Sequence, residues 1–148
     1  PRDVGQLPAR GIAVSVQVLA DTHALIWYLF DQSRLSPGGL AALEGALGDG
    51  FPILVSAISL IEIVYLEEKH KIAAGAAARI RTACLADGPS LEIVPVDARV
   101  AYALEQIGRA DVPDMPDRII AATAICLGVP LVTRDGKIRA SAVRTIPA

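Results

Sequence analysis

Short, predominantly apolar segments alternate along the chain with segments of helical periodicity, and this alternation restricts the fold more than any other feature. The apolar segments are rich in Val, Ile and Leu, and they do not alternate apolar with polar residues as strands with one solvated face do. Strands of this kind, separated by helices, are typical of a parallel sheet covered on both faces. The predicted strands are 14–20, 51–56, 91–96 and 129–133, with a candidate fifth at 142–146. The sequence therefore predicts an α/β fold with a central, mostly parallel sheet of four to five strands.

Residues typical of helix starts and helix ends mark the boundaries of the predicted helices between the strands. Ser36 precedes a proline at the start of one helix, Asp97 can cap another, and Gly128 follows the end of a third. The predicted helices are 22–30, 36–48, 57–72, 73–88, 97–108 and 117–127. We predict one domain over residues 16–148. Residues 1–15 are predicted to be an extension outside the fold, either disordered or vector-derived.

Composition and charge narrow the class of protein. Apolar residues make up 53% of the 148 residues and the formal net charge is −2, so the chain lacks the basic footprint of a non-specific nucleic-acid binder. A bound cation could still neutralise a local acidic pocket and so allow a nucleic acid to bind there. The aliphatic excess fits either a dimer interface or a compact α/β core. Cys84 and Cys126 are predicted to be reduced core thiols of a cytoplasmic protein, and we predict no membrane span.

Acidic residues recur where predicted strands end. Asp21 follows the first strand directly, and Asp135 follows the fourth by two residues. Glu62 lies six residues beyond Ser56, at the end of the second strand, and Asp117 opens the helix that leads into the fourth strand. Because ligands of open α/β sheets bind at the carboxyl ends of the strands, convergence of these four acids is a reasonable expectation.

Each acid also has a purely structural interpretation. Asp21 could cap a helix, Asp117 could favour a helix dipole, and Asp135 before a glycine could form a turn. Glu62 lies among apolar residues, and either an exposed helix face or an arginine partner would explain it.

Four carboxylates at one place would repel each other and raise each other's pKa values, whereas a hard divalent cation would stabilise them. Mg²⁺ and Mn²⁺ prefer oxygen ligands of this kind. His23 and His70 are not spaced as zinc ligands, so an all-oxygen site is the favoured interpretation.

Four segments in series resemble the PIN-domain nucleases, and most closely the ribonuclease toxins of bacterial VapBC toxin–antitoxin pairs. The resemblance extends from about Val16 to the end of the sequence. It implies a PIN-like three-layer α/β/α fold and a ribonuclease that depends on one or two Mg²⁺ or Mn²⁺ ions. The segments are "VLADTHALIWYL", "SAISLIEI", "DMPDRIIAATA" and "LVTRDGKI".

The resemblance also implies roles for individual residues. The catalytic, metal-binding positions correspond to Asp21, Glu62, Asp117 and Asp135. Supporting positions are Thr22, Ser56, Thr133 and, near the metal ligands, Asp114. The family often has Asp-Pro-x-Asp-Arg before the third acid, whereas this chain has "DMPDR", with the proline displaced by one residue.

We further predict that Arg118 or Arg134 contacts a substrate phosphate, because a guanidinium matches phosphate geometry, although surface salt bridging is the alternative for either. The expected partners are an RNA substrate, a VapB-like antitoxin whose C-terminal segment lies over the active site, and a second copy of the chain.

Three other functions compete with the toxin. The first is a PIN-fold nuclease of RNA processing or decay outside a toxin pair, and the second is a PIN domain that binds RNA or protein without catalysis. The third, a haloacid-dehalogenase-like phosphatase, would need an aspartate at position 23, where this chain has a histidine.

Overall fold

The structure, a computed structural model, describes residues 16–148. The strands of its single sheet are β1 (Leu19–Ala20), β2 (Ile53–Ser56), β3 (Leu91–Val94), β4 (Leu131–Thr133) and β5 (Thr145–Pro147). Their spatial order is β3-β2-β1-β4-β5, and all four pairings are parallel. The first strand of the chain is therefore the central one, and the predicted parallel sheet is confirmed.

Helices connect every strand to the next. They are α1 (Thr22–Phe30), α2 (Pro37–Gly48), α3 (Ala57–Glu68), α4 (Ala76–Leu85), α5 (Ala98–Ala103), α6 (Met115–Leu127) and α7 (Gly136–Arg139). Short 3₁₀ turns at Gln32–Arg34 and Leu104–Gln106 follow α1 and α5.

Side chains of the sheet enter two separate cores, one on each face. Buried residues of α1 to α4 form the first core, and those of α5 to α7 form the second. Neighbouring strand residues alternate between them, since Leu19 packs in the second core and Ala20 in the first. This alternation, expected where successive side chains point to opposite faces, gives the three-layer α/β/α arrangement. The predicted fold class is confirmed.

Several predicted boundaries shift. The first strand spans only Leu19–Ala20, and the predicted strand residues 14–15 lie outside the described part of the chain. The predicted break between two helices is wider than expected, because α3 ends at Glu68 and α4 begins only after Gly75, whose φ of 89° suits a glycine. The predicted extension 1–15 lies outside the described residues and stays a prediction.

Two further features bear on the sequence-based expectations. Cys84 and Cys126 are free thiols, as predicted, but both are partly buried rather than fully buried. Within residues 16–148, no helix has the length and apolar character that crossing a bilayer requires.

Candidate active site

Asp21 and Asp135 stand at the carboxyl ends of two paired strands, β1 and β4. Each carboxylate also caps the helix that follows. Asp21 accepts a hydrogen bond from the Ala24 backbone N–H at 2.7 Å, and Asp135 accepts one from the Lys137 N–H at 2.8 Å. Capping explains part of each side chain's position, but each carboxylate has a further oxygen for other contacts. The structural and functional interpretations are therefore compatible.

The buried hydroxyl of Thr133 connects these two acids. It donates to the second oxygen of Asp21, and it accepts from the backbone N–H of Asp135 at 3.0 Å. Asp21 is only 5% exposed, and this burial raises the pKa of its carboxyl group. The hydrogen bonds from Thr133 and Ala24 act in the opposite direction because they favour the charged form. These hydrogen bonds fix the position of the Asp21 carboxyl group, although burial raises its pKa overall.

Glu62 reaches the same region from α3. The hydroxyl of Thr22, next to Asp21 in the chain, donates to Glu62 Oε1 at 2.7 Å and lies 2.9 Å from the Ser59 hydroxyl. Burial is the main cause of the raised pKa of Glu62, and the Thr22 hydrogen bond opposes it. The charges of Asp114 and Asp21 raise that pKa further. Glu62 therefore has a hydroxyl partner rather than the arginine considered for it.

Asp117 lies in the first turn of α6, and Asp114 caps that helix by accepting from the Asp117 N–H at 3.2 Å. The pKa of Asp117 is raised to about 7. Burial is the largest cause, followed by the charges of Asp114, Asp135 and Glu62 and by a hydrogen bond with Asp135. At neutral pH this carboxyl group therefore carries a proton for much of the time. That behaviour is expected where like charges crowd together.

The side chains of four aspartates line one cavity of about 480 Å³, which we refer to as the carboxylate cavity. Three of the four predicted catalytic acids line it, together with Asp114. Glu62 does not; it lines a neighbouring cavity of about 470 Å³ with Tyr65 and Met115. The residues of the carboxylate cavity are Asp21, His23, Val112, Pro113, Asp114, Asp117, Arg134, Asp135, Gly136 and Lys137.

The PIN domain family model matches residues 18–143, which include all four acids. One relative, the ribonuclease VapC22 of Mycobacterium tuberculosis, is 34% identical over 124 residues, covering 82% of this chain and 89% of the relative. The chain belongs to the PIN domain family.

Solved structures show the same fold. VapBC2 from Rickettsia felis, bound to a DNA fragment of its promoter, matches this PIN domain with a TM-score of 0.63 and 18% identity. That match covers 89% of this chain and all of the other. FitAcB from Neisseria gonorrhoeae matches with a TM-score of 0.58 and 23% identity, over 88% of this chain and 97% of the other. At such identities the likeness concerns the fold alone.

The donor chemistry of this PIN domain fits a hard divalent cation. Carboxylates whose mutual repulsion raises their pKa values gain stability when a cation lies between them, and carboxylate oxygen is the preferred donor for Mg²⁺ and Mn²⁺. Within residues 16–148, no three acidic, histidine or cysteine side chains are arranged to hold one ion together. The hydrogen bond between Asp117 and Asp135 requires a shared proton, which ion binding would release.

The two candidate phosphate-binding arginines lie in different environments. Arg118 is not part of the carboxylate cavity, and its guanidinium donates to the backbone oxygens of Ile107 at 2.9 Å and Leu104 at 3.2 Å. Arg134 lines the cavity, and its guanidinium carbon lies 4.5 Å from the centroid of the Trp27 ring. Arg118 thus ties α6 to the 3₁₀ turn that follows α5, whereas Arg134 lies beside the acids.

Sequence reasoning left three residues near the site unassigned. His23 and Lys137 line the cavity, each two residues after a predicted catalytic acid, and Trp27 lies one helical turn beyond His23. His23 and Lys137 could have been identified from the sequence, because each lies two residues after a predicted metal ligand. Ser56, predicted to support the site, caps α3 by accepting from the Ile58 N–H at 3.3 Å.

Proposed function

We propose that this PIN domain is a divalent-metal-dependent ribonuclease and acts as the toxin of a toxin–antitoxin pair. The observation that carries the proposal is the meeting of Asp21, Asp117 and Asp135 in one cavity at the carboxyl ends of β1 and β4. The relative VapC22 is named as a ribonuclease, and it is 34% identical across most of both chains. A further structure of this fold, a toxin–antitoxin complex from Klebsiella pneumoniae with a TM-score of 0.57 and 22% identity, supports an antitoxin partner.

In this proposal Asp21, Asp117 and Asp135 hold one or two Mg²⁺ or Mn²⁺ ions, and Glu62 assists as a further ligand or by orienting water. The bound ions would supply charge stabilisation at the scissile phosphate and would lower the pKa of an attacking water. Thr133 keeps Asp21 oriented through its hydroxyl, and Thr22 does the same for Glu62. Asp114 adds negative charge beside Asp117 and fixes the start of α6.

The direct test is cleavage of labelled single-stranded RNA by the purified protein with Mg²⁺, with Mn²⁺ and with a chelator. We expect metal-dependent cleavage by the wild type, loss of cleavage in Asp21→Asn, and wild-type cleavage in Asp87→Asn. Asp87 is a matched control because it is an exposed aspartate outside the carboxylate cavity. Cleavage that persists in chelator and in Asp21→Asn would falsify the metal-dependent nuclease.

The toxin role needs a test in cells. We expect expression of the wild type, but not of Asp21→Asn, to arrest growth, and co-expression of a small protein encoded next to this chain to relieve the arrest. Cleavage in vitro without growth arrest would instead favour a nuclease of RNA processing or decay. Metal titration by calorimetry addresses the remaining alternative, since a domain that only binds its partners would take up no Mg²⁺ at this cavity.

Exposed apolar side chains support a protein partner. On α3, Ile61 and Tyr65 are 53% and 58% exposed, and on α4 Leu85 is 77% exposed. Apolar exposure of this size is typical of interaction surfaces. We propose that antitoxin binding and homodimer formation cover such residues in the cytoplasm. Light scattering of the purified chain, alone and with the adjacently encoded protein, measures both assemblies, and a strictly monomeric chain that binds no such protein would contradict them.

A further inference from the structure

Two arginines from distant parts of the chain share one aromatic ring beside the carboxylate cavity. The guanidinium carbon of Arg34 lies 4.8 Å from the Trp27 ring centroid, and that of Arg134 lies 4.5 Å from it. Arg34 ends the 3₁₀ turn after α1, whereas Arg134 follows β4. Trp27 itself is only 5% exposed, so its ring is a fixed part of α1 rather than a mobile surface group. Both arginine residues are exposed to solvent.

Neither arginine has an anionic partner among residues 16–148. The ion pair found there joins Arg99 to Asp97, and no side-chain hydrogen bond of Arg34 or Arg134 is formed within that part of the chain. Arg118, by contrast, donates to two backbone oxygens. Attraction to the ring leaves the hydrogen-bond donors of both guanidiniums without an acceptor in this part of the chain. Phosphate oxygens would supply the charged acceptors that both lack.

The position of the pair specifies which anion reaches it. Arg134 lies between Thr133 and Asp135 in the chain, and its side chain lines the carboxylate cavity. A phosphodiester held at the cavity therefore has its neighbouring phosphates close to this side chain. A planar guanidinium binds phosphate oxygens through paired hydrogen bonds, and stacking on indole fixes the plane of the guanidinium before the ligand arrives.

We propose that Trp27 is a positioning residue that holds Arg34 and Arg134 as a clamp for the RNA phosphates flanking the cleaved bond. The proposal rests on the proposed ribonuclease function and adds two phosphate contacts and the residue that orients them. The clamp adds to the positive charge of Lys137 beside the acids of the carboxylate cavity. It also favours single-stranded RNA, whose backbone can follow the surface from the cavity to the indole.

The first experiment measures binding of a fluorescein-labelled, single-stranded RNA by anisotropy, in chelator, over a series of salt concentrations. Each lost phosphate contact should reduce the slope of log affinity against log salt by about 0.7. We expect that reduction, with roughly fivefold weaker binding at low salt, for Arg134→Gln and for Arg34→Gln. The double variant should lose about twice the slope. With Mg²⁺, both single variants should raise KM more than they lower kcat.

Arg79→Gln is the matched control. Arg79 also stacks on an aromatic ring, with its guanidinium carbon 5.0 Å from the Phe30 centroid, but it does not line the carboxylate cavity. The Arg79→Gln substitution removes the same charge and the same type of stacking contact elsewhere on the surface. We expect the salt slope of this control to match the wild type.

The second experiment tests Trp27 itself. Trp27→Leu keeps apolar bulk and removes the aromatic face, whereas Trp27→Phe keeps a face. We expect Trp27→Leu to reduce the salt slope, Trp27→Phe to retain most of it, and Trp27→Leu to have no further effect in the Arg34→Gln/Arg134→Gln background. Circular dichroism and thermal melting report the folding of each variant. If Trp27→Leu does not fold, Trp27→Met, which also keeps apolar bulk without an aromatic face, replaces it in a cycle with Arg134→Gln, because positioning requires the two effects to be non-additive.

Wild-type salt slopes in both arginine variants would overturn the clamp, as would additive effects of Trp27 and Arg134 or an absence of RNA binding by the wild type. Failure of the proposed function looks different. It would appear as a wild type that binds RNA in chelator but does not cleave it with Mg²⁺, and the binding series would still measure the clamp.

Discussion

Asp21 and Asp117 face one cavity from opposite helices, yet their carboxyl groups meet different environments. On the side of α1, Asp21 and Glu62 each accept a hydrogen bond from a threonine hydroxyl. On the side of α6, Asp117 faces the charges of Asp114 and Asp135, and its pKa rises to about 7. We refer to these as the α1 side and the α6 side. Burial raises the pKa values of the acids on both sides, but hydroxyl donors oppose this effect on the α1 side, whereas neighbouring carboxylates add to it on the α6 side.

The largest expected effect is on cleavage, and it should be the same on both sides. Asp21→Asn and Asp117→Asn each remove a charged oxygen donor, so we expect RNA cleavage to fall by about 100- to 1000-fold. Initial rates on labelled RNA with Mg²⁺ measure this, with Asp87→Asn as the control. A variant on one side that retains most of its activity would show that only the other side takes part in catalysis.

The next effect should appear only on the α1 side. Thr133→Val leaves Asp21 and the Asp135 N–H without the hydroxyl they share, so we expect a loss of about 1–3 kcal/mol in the free energy of unfolding. Cleavage should fall by about 10- to 100-fold. Thr133→Ser should restore both quantities. Urea denaturation and cleavage rates are the measurements, with the exposed Thr82→Val as control, and equal behaviour of the valine and serine variants would contradict the hydroxyl's role.

The α6 side should give the opposite sign of stability change. In the metal-free folded protein the Asp117 carboxyl keeps its proton up to a pKa of about 7, whereas in the unfolded chain it loses it near 3.8. The folded state therefore binds more protons between these values, and stability should fall as the pH rises from about 4 to about 7.

We expect Asp117→Asn to remove much of that decline and to be more stable than the wild type at pH 8 by about 1–2 kcal/mol, after allowance for solvent screening. Urea denaturation in chelator at pH 5, 6, 7 and 8 measures both chains. Added Mg²⁺ should stabilise the wild type at pH 8 and not the variant. Stability that rises with pH in the metal-free wild type would show that the charges on the α6 side do not repel each other as described.

The smallest effect concerns Glu62, which lies outside the carboxylate cavity. Thr22→Val removes the hydroxyl that donates to Glu62 while leaving the backbone cap of α1 on Asp21 intact. We expect a loss of about 0.5–1.5 kcal/mol in stability, the usual range for one hydrogen bond, and roughly a tenfold loss of cleavage. If cleavage is unchanged while Glu62→Gln is inactive, the hydroxyl does not orient Glu62.

The sequence allowed the sheet and its layers to be predicted because burial on both faces leaves a direct signature. Residues 53–55, for example, are all apolar and are bounded by Pro52 and Ser56. The ends of elements were harder to predict, since β1 is short and Asp135 begins a helix where a turn was expected. A short helix of this kind is stabilised by packing of Ile138 in the second core, and that contact is not local.

The candidate site could be predicted in part for a related reason. Asp21 follows β1 directly and Asp135 follows β4 by two residues, so topology alone places them together at one edge of the sheet. The position of Glu62 depends on a hydroxyl 40 residues away, and the ring shared by Arg34 and Arg134 depends on side-chain packing. Periodicity carries no information on such contacts. The catalytic and metal-binding roles of the four acids stay predictions until the variants are measured.

The hydrogen bond between Thr133 and Asp21 joins residues 112 positions apart, and it has a consequence for synthesis. The central strand β1 gains its β4 neighbour only after the segments that contain β2 and β3 have been translated. Until residue 135 has been added, the nascent chain lacks one wall of the cavity that we propose cleaves RNA. Contacts of such long sequence separation also form slowly. A nascent chain in which β4 has not yet paired with β1 is thus an incomplete form of the proposed nuclease.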